Sequence, residues 1–441
     1  MNDLGNVFGA EFVEFPCDHC QTRLKLGVSL IGRPAKCPKC DGVSNVPGPD
    51  SQTNGGASET EANSSASNSQ SDLASSGLAS SESSSEQIVT PDQVVVPPPV
   101  TAAGQVESRK LDPSKLSEPE IGSETEARQL YKKISDEVAK VFVGQEELVL
   151  GTLVALFSGG HVLIESAPGL GKTLFVRTLG KILGCDFGRI QFTADLMPSD
   201  ITGSPIFNMK SQEFEFRPGP IFTQLLLADE INRSPAKTHA ALLEIMQEKT
   251  VTVDGTSHEL DLPFLVVATQ NPIESEGTYN LPEAQLDRFM LKLIADYPSE
   301  EQEAEILMMH GGQEDLGERL KNEVQTVSSP AEIIKITKSM ADVRIDPLLV
   351  NYINKIVRLT RQWPQFYLGA SPRAGIGLMQ GIRTLASFYG RDYAVPDDVV
   401  QIALPALRHR VQLTAEAEVE GQDVDQLLSD LIRTVEVPRL K

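Results

Sequence analysis

Eight residues, Ser166-Ala167-Pro168-Gly169-Leu170-Gly171-Lys172-Thr173, constrain this chain more than any other stretch. They follow an apolar run, His161-Val162-Leu163-Ile164, that reads as a buried strand, and precede Leu174–Leu179, which reads as a helix. A strand, a glycine-rich turn ending in Lys-Thr, and a helix make the layout of a phosphate-binding loop. Backbone N–H groups of the turn and the open helix N-terminus cradle an anion. Gly169 and Gly171 let the backbone approach the ligand without a Cβ clash. Pro168, Leu170 and Leu174 complete the loop's contribution to the nucleotide site. Lys172 is expected to reach the β- and γ-phosphates, and Thr173 to hold Mg²⁺. One position departs from the pattern G-x-x-x-x-G-K-[ST]: its first glycine is Ser166 here.

The 441 residues suffice for two or three domains, and the net charge is -22. A chain this acidic repels nucleic acid and anionic lipid on average, which argues against non-specific binding to either. The start, Met1-Asn2-Asp3-Leu4-Gly5, has no basic run and no apolar core of a secretory signal. No apolar run is long enough to span a bilayer, so a cytoplasmic location is expected.

Composition divides the chain. Residues 1–48 hold four of the five cysteines. Residues 49–126 are rich in Ser, Asn, Ala, Pro and acidic side chains and are expected to be a disordered linker, because too little apolar surface is available to offset the ordering entropy. Residues 127–298 alternate strands and helices, which predicts an α/β layer around a parallel sheet. Residues 299–441 lose the strand signals. Pro347, Pro372 and Pro396 each follow Asp, Ser or Val at helix starts, and Ile345, Leu348, Leu349, Tyr352, Ile353, Ile356 and Leu359 recur at helical spacing, so a helical bundle is expected.

Cys17-Asp18-His19-Cys20 and Cys37-Pro38-Lys39-Cys40 are two Cys-x-x-Cys units. Two such turns place four thiolates tetrahedrally around Zn²⁺, and a closed four-thiolate site is structural. The segment resembles a zinc ribbon. Arg23, Lys25, Arg33, Lys36 and Lys39 make it locally basic, so a protein or a nucleic-acid partner stays open for it. Cys185, alone near an apolar helix end, is expected to be a small buried thiol.

A second phosphate-site element follows the loop. Leu225-Leu226-Leu227-Ala228 is an apolar strand ending in Asp229-Glu230, about 55 residues beyond the loop. Asp229 there suits Mg²⁺, and Glu230 suits the deprotonation of an attacking water. A third apolar strand, Phe264–Thr269, ends in Gln270-Asn271, which would place the Asn271 amide between those carboxylates and the γ-phosphate.

These residues carry a family resemblance. Ile190–Gly203, Asp229-Glu230-Ile231-Asn232-Arg233-Ser234-Pro235, Ala241–Glu248, Thr269–Glu274, Gly277-Thr278-Tyr279, Leu281–Phe289 and Gly369–Ala374 resemble the MoxR family of AAA+ ATPases, in order, over residues 127–441. The resemblance departs at Ser166 and at Ala194, where proline is usual. It implies an AAA+ core over 127–298 with a helical lid over 299–441. It implies that Asn271 positions water, that Arg288 is an arginine finger offered to the neighbouring subunit, and that Arg373 reaches the γ-phosphate from the lid. Val143, Gly144 and Gln145 are then expected beside the adenine, and Arg233 is a lesser trans-acting candidate. Two hairpins, Pro205–Arg217 and Thr250–Leu262, are expected to project towards a pore or partner. The resemblance further implies ATP hydrolysis in a hexameric ring, a chaperone-like role on a protein client, and a partner with a von Willebrand factor A domain. Two rivals stand beside it: a magnesium-chelatase motor subunit, and a nucleic-acid-binding regulator acting through the ribbon. Enhancer-binding activators are disfavoured because no G-A-F-T-G-A loop occurs.

Overall fold

The computed structural model describes residues 110–439 apart from 117, 272–278, 280 and 312–315, and, nearer the N-terminus, four short strands with Cys20 and Lys39. The chain divides into two compact units, Met1–Pro97 and Pro98–Lys441. In the first, β1 (Phe12–Pro16) pairs antiparallel with β2 (Arg23–Gly27), and β3 (Pro34–Lys36) with β4 (Val43–Asn45). Along the sequence, Cys17 and Cys20 fall between β1 and β2, and Cys37 and Cys40 between β3 and β4. Cys17, Cys37 and Cys40 lie outside the described residues, and the expected four-thiolate zinc site lies outside them too.

The second unit is built on a sheet. Its strands in chain order are β5 (Val162–Ser166), β6 (Phe187–Gln191), the hairpin β7 (Gly203–Asn208) and β8 (Glu213–Pro218), β9 (Leu225–Asp229), the hairpin β10 (Thr250–Val253) and β11 (Thr256–Glu259), β12 (Leu265–Gln270) and β13 (Leu291–Ala295). Five of these form one parallel sheet in the order β13-β5-β12-β9-β6. The central strands are continuous apolar runs because both faces are covered. Val162, Ile164, Leu225, Leu227, Leu265 and Val267 enter a core shared with helices Glu126–Ala139, Glu146–Phe157 and Lys172–Leu183. Leu163, Leu226, Ala228, Val266 and Ala268 face the other way, onto Leu242, Leu243, Ile245 and Met246 of helix Ala236–Glu248. The strand period of two sorts the residues between these cores. The strand order sets β12 between β5 and β9, which brings the C-terminal tips of those three strands side by side.

His161, just before β5, is fully packed. Its Nδ1 accepts from the Val266 N–H at 3.0 Å and its Nε2–H donates to the Met246 carbonyl at 3.0 Å. Burial pushes the imidazole down to about 4 from its ordinary 6.5. Cys185 is buried, as expected, and burial pushes its thiol up to about 12, which leaves it inert.

The lid carries helices Pro330–Met340, Pro347–Thr360, Pro372–Phe388, Pro396–Leu407 and Val424–Thr434. Proline opens four of them, where its missing N–H costs nothing. Ser329, Asp346 and Ser371 cap the first three by accepting from Glu332, Leu348 and Arg373 N–H groups. A small antiparallel pair, β14 (Phe366–Leu368) with β15 (Gln412–Leu413), interrupts the expected all-helical region. Strands of two and three residues carry no periodic signal.

Part of the span expected to be linker is built into the second unit. Residues 110–125 pack on the lid: Leu111 is buried, the Arg433 guanidinium bonds Asp112 at 2.7 Å, and the Gly122 and Ser123 N–H groups donate to Tyr389 and Gly390 carbonyls. Polar composition hid this, because the segment is held by long-range hydrogen bonds. Among the described residues no helix is long and apolar enough to cross a membrane.

Candidate functional site

The turn after β5 is shaped by its glycines. Gly169 and Gly171 take φ of 85° and 75°, a left-handed backbone that side chains disfavour. Gly171 then opens helix Lys172–Leu183, so the first N–H groups of that helix face the turn. Pro168, Gly169, Leu170, Gly171, Lys172, Thr173 and Leu174 line a cleft of about 200 Å³ together with Asp229, Glu230, Thr269 and Asn271. The structure therefore brings the loop, both carboxylates and Asn271 to one place from three strand tips.

Lys172 is held within its own loop. Its Nζ donates to Ser166 Oγ at 2.6 Å and to the Ala167 carbonyl at 3.0 Å. Ser166, the departure from the glycine pattern, is thus a direct partner of the lysine, which the sequence did not reveal. Burial lowers the Lys172 ammonium below its ordinary value, against the pull of Asp229 and Glu230, so it gains from an anionic partner.

The carboxylates have partners that sequence reasoning missed. Thr269 Oγ1 donates to Asp229 Oδ1 at 2.6 Å and accepts from the Glu230 N–H at 2.9 Å. Arg189 Nη2 donates to Asp229 Oδ2 and to Gln191 Oε1, both at 2.7 Å. Gln191 Nε2 donates to Glu230 Oε2 at 2.8 Å, and Arg233 Nη1 pairs with the same oxygen at 3.1 Å. Arg189 and Gln191 alternate on β6, which lies beside β9 in parallel register. Only the sheet order makes them neighbours of Asp229 and Glu230. Glu230 itself takes φ 56°, a strained backbone for a residue with a Cβ that aims its carboxylate off the strand end.

A second cavity of about 450 Å³ adjoins the loop and is mostly apolar. Val143 and Gln145 line it, as expected. Gly144 is not among its lining residues; it takes φ 72° and lies so close to Gln302 that a Cβ would clash. The sequence did not single out Phe142, Tyr297, Ile306 and Leu307, which complete the wall. A mostly apolar cavity beside a phosphate cradle fits a purine base, and the hard oxygens of Thr173 and Asp229 fit Mg²⁺, which is held by few protein ligands. The residues present therefore suit ATP with Mg²⁺.

The two arginines lie elsewhere. Arg288 and Arg373 are not among the residues lining the cleft. Arg373 Nη1 stands 3.9 Å from Asp287 Oδ2. Arg288 is half-buried and its guanidinium makes no ion pair among the described residues. The expected hairpins are present. The first exposes Phe207, Phe214 and Met209, and its Phe216 stacks on His258 of the second at 4.1 Å.

Residues 161–291 match the family described as ATPases associated with various cellular activities, and residues 358–431 match the AAA lid domain. The chain is 45% identical over 309 residues to the protein YeaC of Bacillus subtilis, covering 70% of this chain and 95% of that one. It is 41% identical over 315 residues to the chaperone MoxR1 of Mycobacterium tuberculosis, covering 69% and 81%. A crystal structure of a Cytophaga hutchinsonii protein assigned as an ATPase is similar with a TM-score of 0.66 and 42% identity, over 71% of this chain and 96% of that one.

Proposed function

The chain belongs to the MoxR family of AAA+ ATPases and is an ATP hydrolase, and from that premise we propose that it works as a ring that remodels protein complexes. The observation that carries the ring is the placement of Arg288. The cleft holds the loop, both carboxylates and Asn271, whereas Arg288 stands outside it with no ion pair among the described residues. A guanidinium so placed is available to the site of a neighbouring copy.

In this reading Lys172 and the loop N–H groups bind the β- and γ-phosphates. Thr173 and Asp229 hold the Mg²⁺, which when bound neutralises charge on the phosphate oxygens. Glu230 takes the proton of the attacking water, with Asn271 orienting that water. Val143, Gln145 and the apolar wall receive the adenine. Arg288 of the next subunit and Arg373 of the lid supply positive charge. The client in this reading is a protein complex; the mycobacterial relative's name, a chaperone, supports a protein client. A hexamer, a von Willebrand factor A partner and a cytoplasmic location belong to the same reading by family resemblance. A structural Zn²⁺ at Cys17, Cys20, Cys37 and Cys40 is supported by their spacing and by their sequence position within the two N-terminal hairpins. Metal analysis of the purified chain that finds no zinc overturns that part.

Turnover per subunit should rise steeply with protein concentration as the ring assembles. A dilute monomer hydrolysing ATP as fast as the assembled form overturns the trans-acting arginine and with it the ring.

A further inference from the structure

We propose that Arg410 is the positioning residue for Arg288, and that through it the lid of each subunit sets the arginine offered to the next; this rests on the trans-acting role of Arg288 given above. Arg410 follows helix Pro396–Leu407 and its side chain is only 2% exposed. Its guanidinium brackets the Arg288 peptide. Nε donates to Asp287 Oδ1 at 2.7 Å. Nη2 donates to the Asp287 carbonyl at 3.2 Å and to the Phe289 carbonyl at 2.7 Å. Nη1 donates to the Met290 carbonyl at 3.1 Å and to the Ala406 carbonyl at 2.5 Å. All five guanidinium donors are thereby used, a geometry that the compact ammonium of lysine does not reproduce. His409 adds a contact to the Phe289 carbonyl at 3.0 Å.

The same loop is tied to the lid at a second point. Asp287 Oδ2 accepts from Ser371 Oγ at 2.9 Å, and Ser371 caps helix Pro372–Phe388 by accepting from the Arg373 N–H. Asp287 also stands 3.9 Å from the Arg373 guanidinium. One carboxylate therefore meets Arg410, Ser371 and Arg373, and its neighbour in sequence is Arg288. A shift of the lid that draws Arg373 towards phosphate moves the Asp287 tether, and the buried Arg410 grip passes that shift to the Arg288 backbone. A misplacement of about 1 Å in a catalytic group can cost on the order of 10²-fold in rate, so a rigid grip matters.

The test uses the full chain with Arg410→Lys and, in parallel, Arg288→Ala. Binding of a fluorescent ATP analogue to Arg410→Lys should stay within about twofold of wild type while kcat falls by roughly 10-fold or more. Adding excess Glu230→Gln subunits, which bring intact arginines but no turnover of their own, should restore turnover at the Arg410→Lys sites and at the Arg288→Ala sites alike. Without nucleotide, backbone amide exchange at Arg288, Phe289 and Met290 should quicken in Arg410→Lys. If Arg288→Ala loses turnover but Arg410→Lys keeps it, or if donor subunits rescue the first and not the second, the positioning role is overturned and the trans-acting arginine stands. If Arg288→Ala keeps full turnover, the trans-acting reading falls first. Should Arg410→Lys lack a cooperative melt, Asp287→Asn takes its place, and the same two outcomes decide.

Discussion

Two sets of charged side chains in the second unit are built in opposite ways. At the tips of β9 and β12, Asp229 and Glu230 keep 11% and 28% of their side-chain surface exposed, and their partners Arg189 and Arg233 keep 46% and 42%. In the lid, Arg391 and Asp398 meet with two bonds of 2.6 and 2.9 Å and are 1% and 3% exposed. A pair whose arginine is half-exposed is screened by solvent and exchanges partners more easily. A buried pair offers no such freedom, since parting it strands a charge in an apolar surround. Rearrangement is therefore cheap at the sheet tips, where Arg189 and Arg233 are half-exposed, while the buried lid pair fixes geometry.

The sharpest way to break this contrast is Glu230→Gln. Turnover should fall by roughly 10²–10⁴-fold, while ATP affinity and unfolding free energy stay close to wild type. Unchanged turnover in a coupled assay refutes its role as base. Next comes Asp398→Ala, which leaves Arg391 buried without its carboxylate. Denaturant unfolding should register a loss of about 3–5 kcal/mol, with ATP affinity per folded molecule unchanged; a loss below about 1 kcal/mol would place this pair with the exposed ones.

A smaller effect follows from His161. Its folded value, about 4, lies below the ordinary 6.5, so the unfolded chain binds the extra proton between those values. Its contribution is complete above about pH 6.5 and drains away as pH falls through 4, to a limit of about 3 kcal/mol. Urea unfolding of wild type and His161→Gln should converge as pH is lowered; a gap that is constant with pH contradicts the assignment. The smallest effect is Ser166→Ala. Removing the hydroxyl that engages Lys172 makes the ammonium more available to phosphate, and a hydrogen bond from a charged donor, worth about 1.5–3 kcal/mol, sets a ceiling of roughly 10–150-fold on the tightening of ATP binding. Weaker binding would mean that the hydroxyl serves the nucleotide rather than competing with it.

Much of the site was legible because it is local. A phosphate-binding turn is eight consecutive residues, and Asp229-Glu230 and Asn271 each end an apolar run. Those runs correspond to β5, β9 and β12, and helix starts at Pro347, Pro372 and Pro396 lie where proline placed them. Partners set by strand order were not legible. Arg189 and Gln191 look like ordinary alternation on β6 until β9 lies beside them. The apolar wall at Tyr297 and Leu307 was missed for the same reason, as these side chains reach the loop from more than 100 residues away.

The chemistry of the strand ends and the helix boundaries could be read from residue order, since both follow from backbone preferences and periodicity within a few residues. Which side chains hold that chemistry in place came from packing: Ser166 on Lys172, Gln191 on Glu230, Arg410 around the Arg288 backbone. Each of the last two joins residues far apart in the chain, and the first joins residues across a turn whose closure no propensity specifies. The physical reason is common to all three. A hydrogen bond needs distance and direction, and those are fixed by how layers pack rather than by which residues adjoin in sequence.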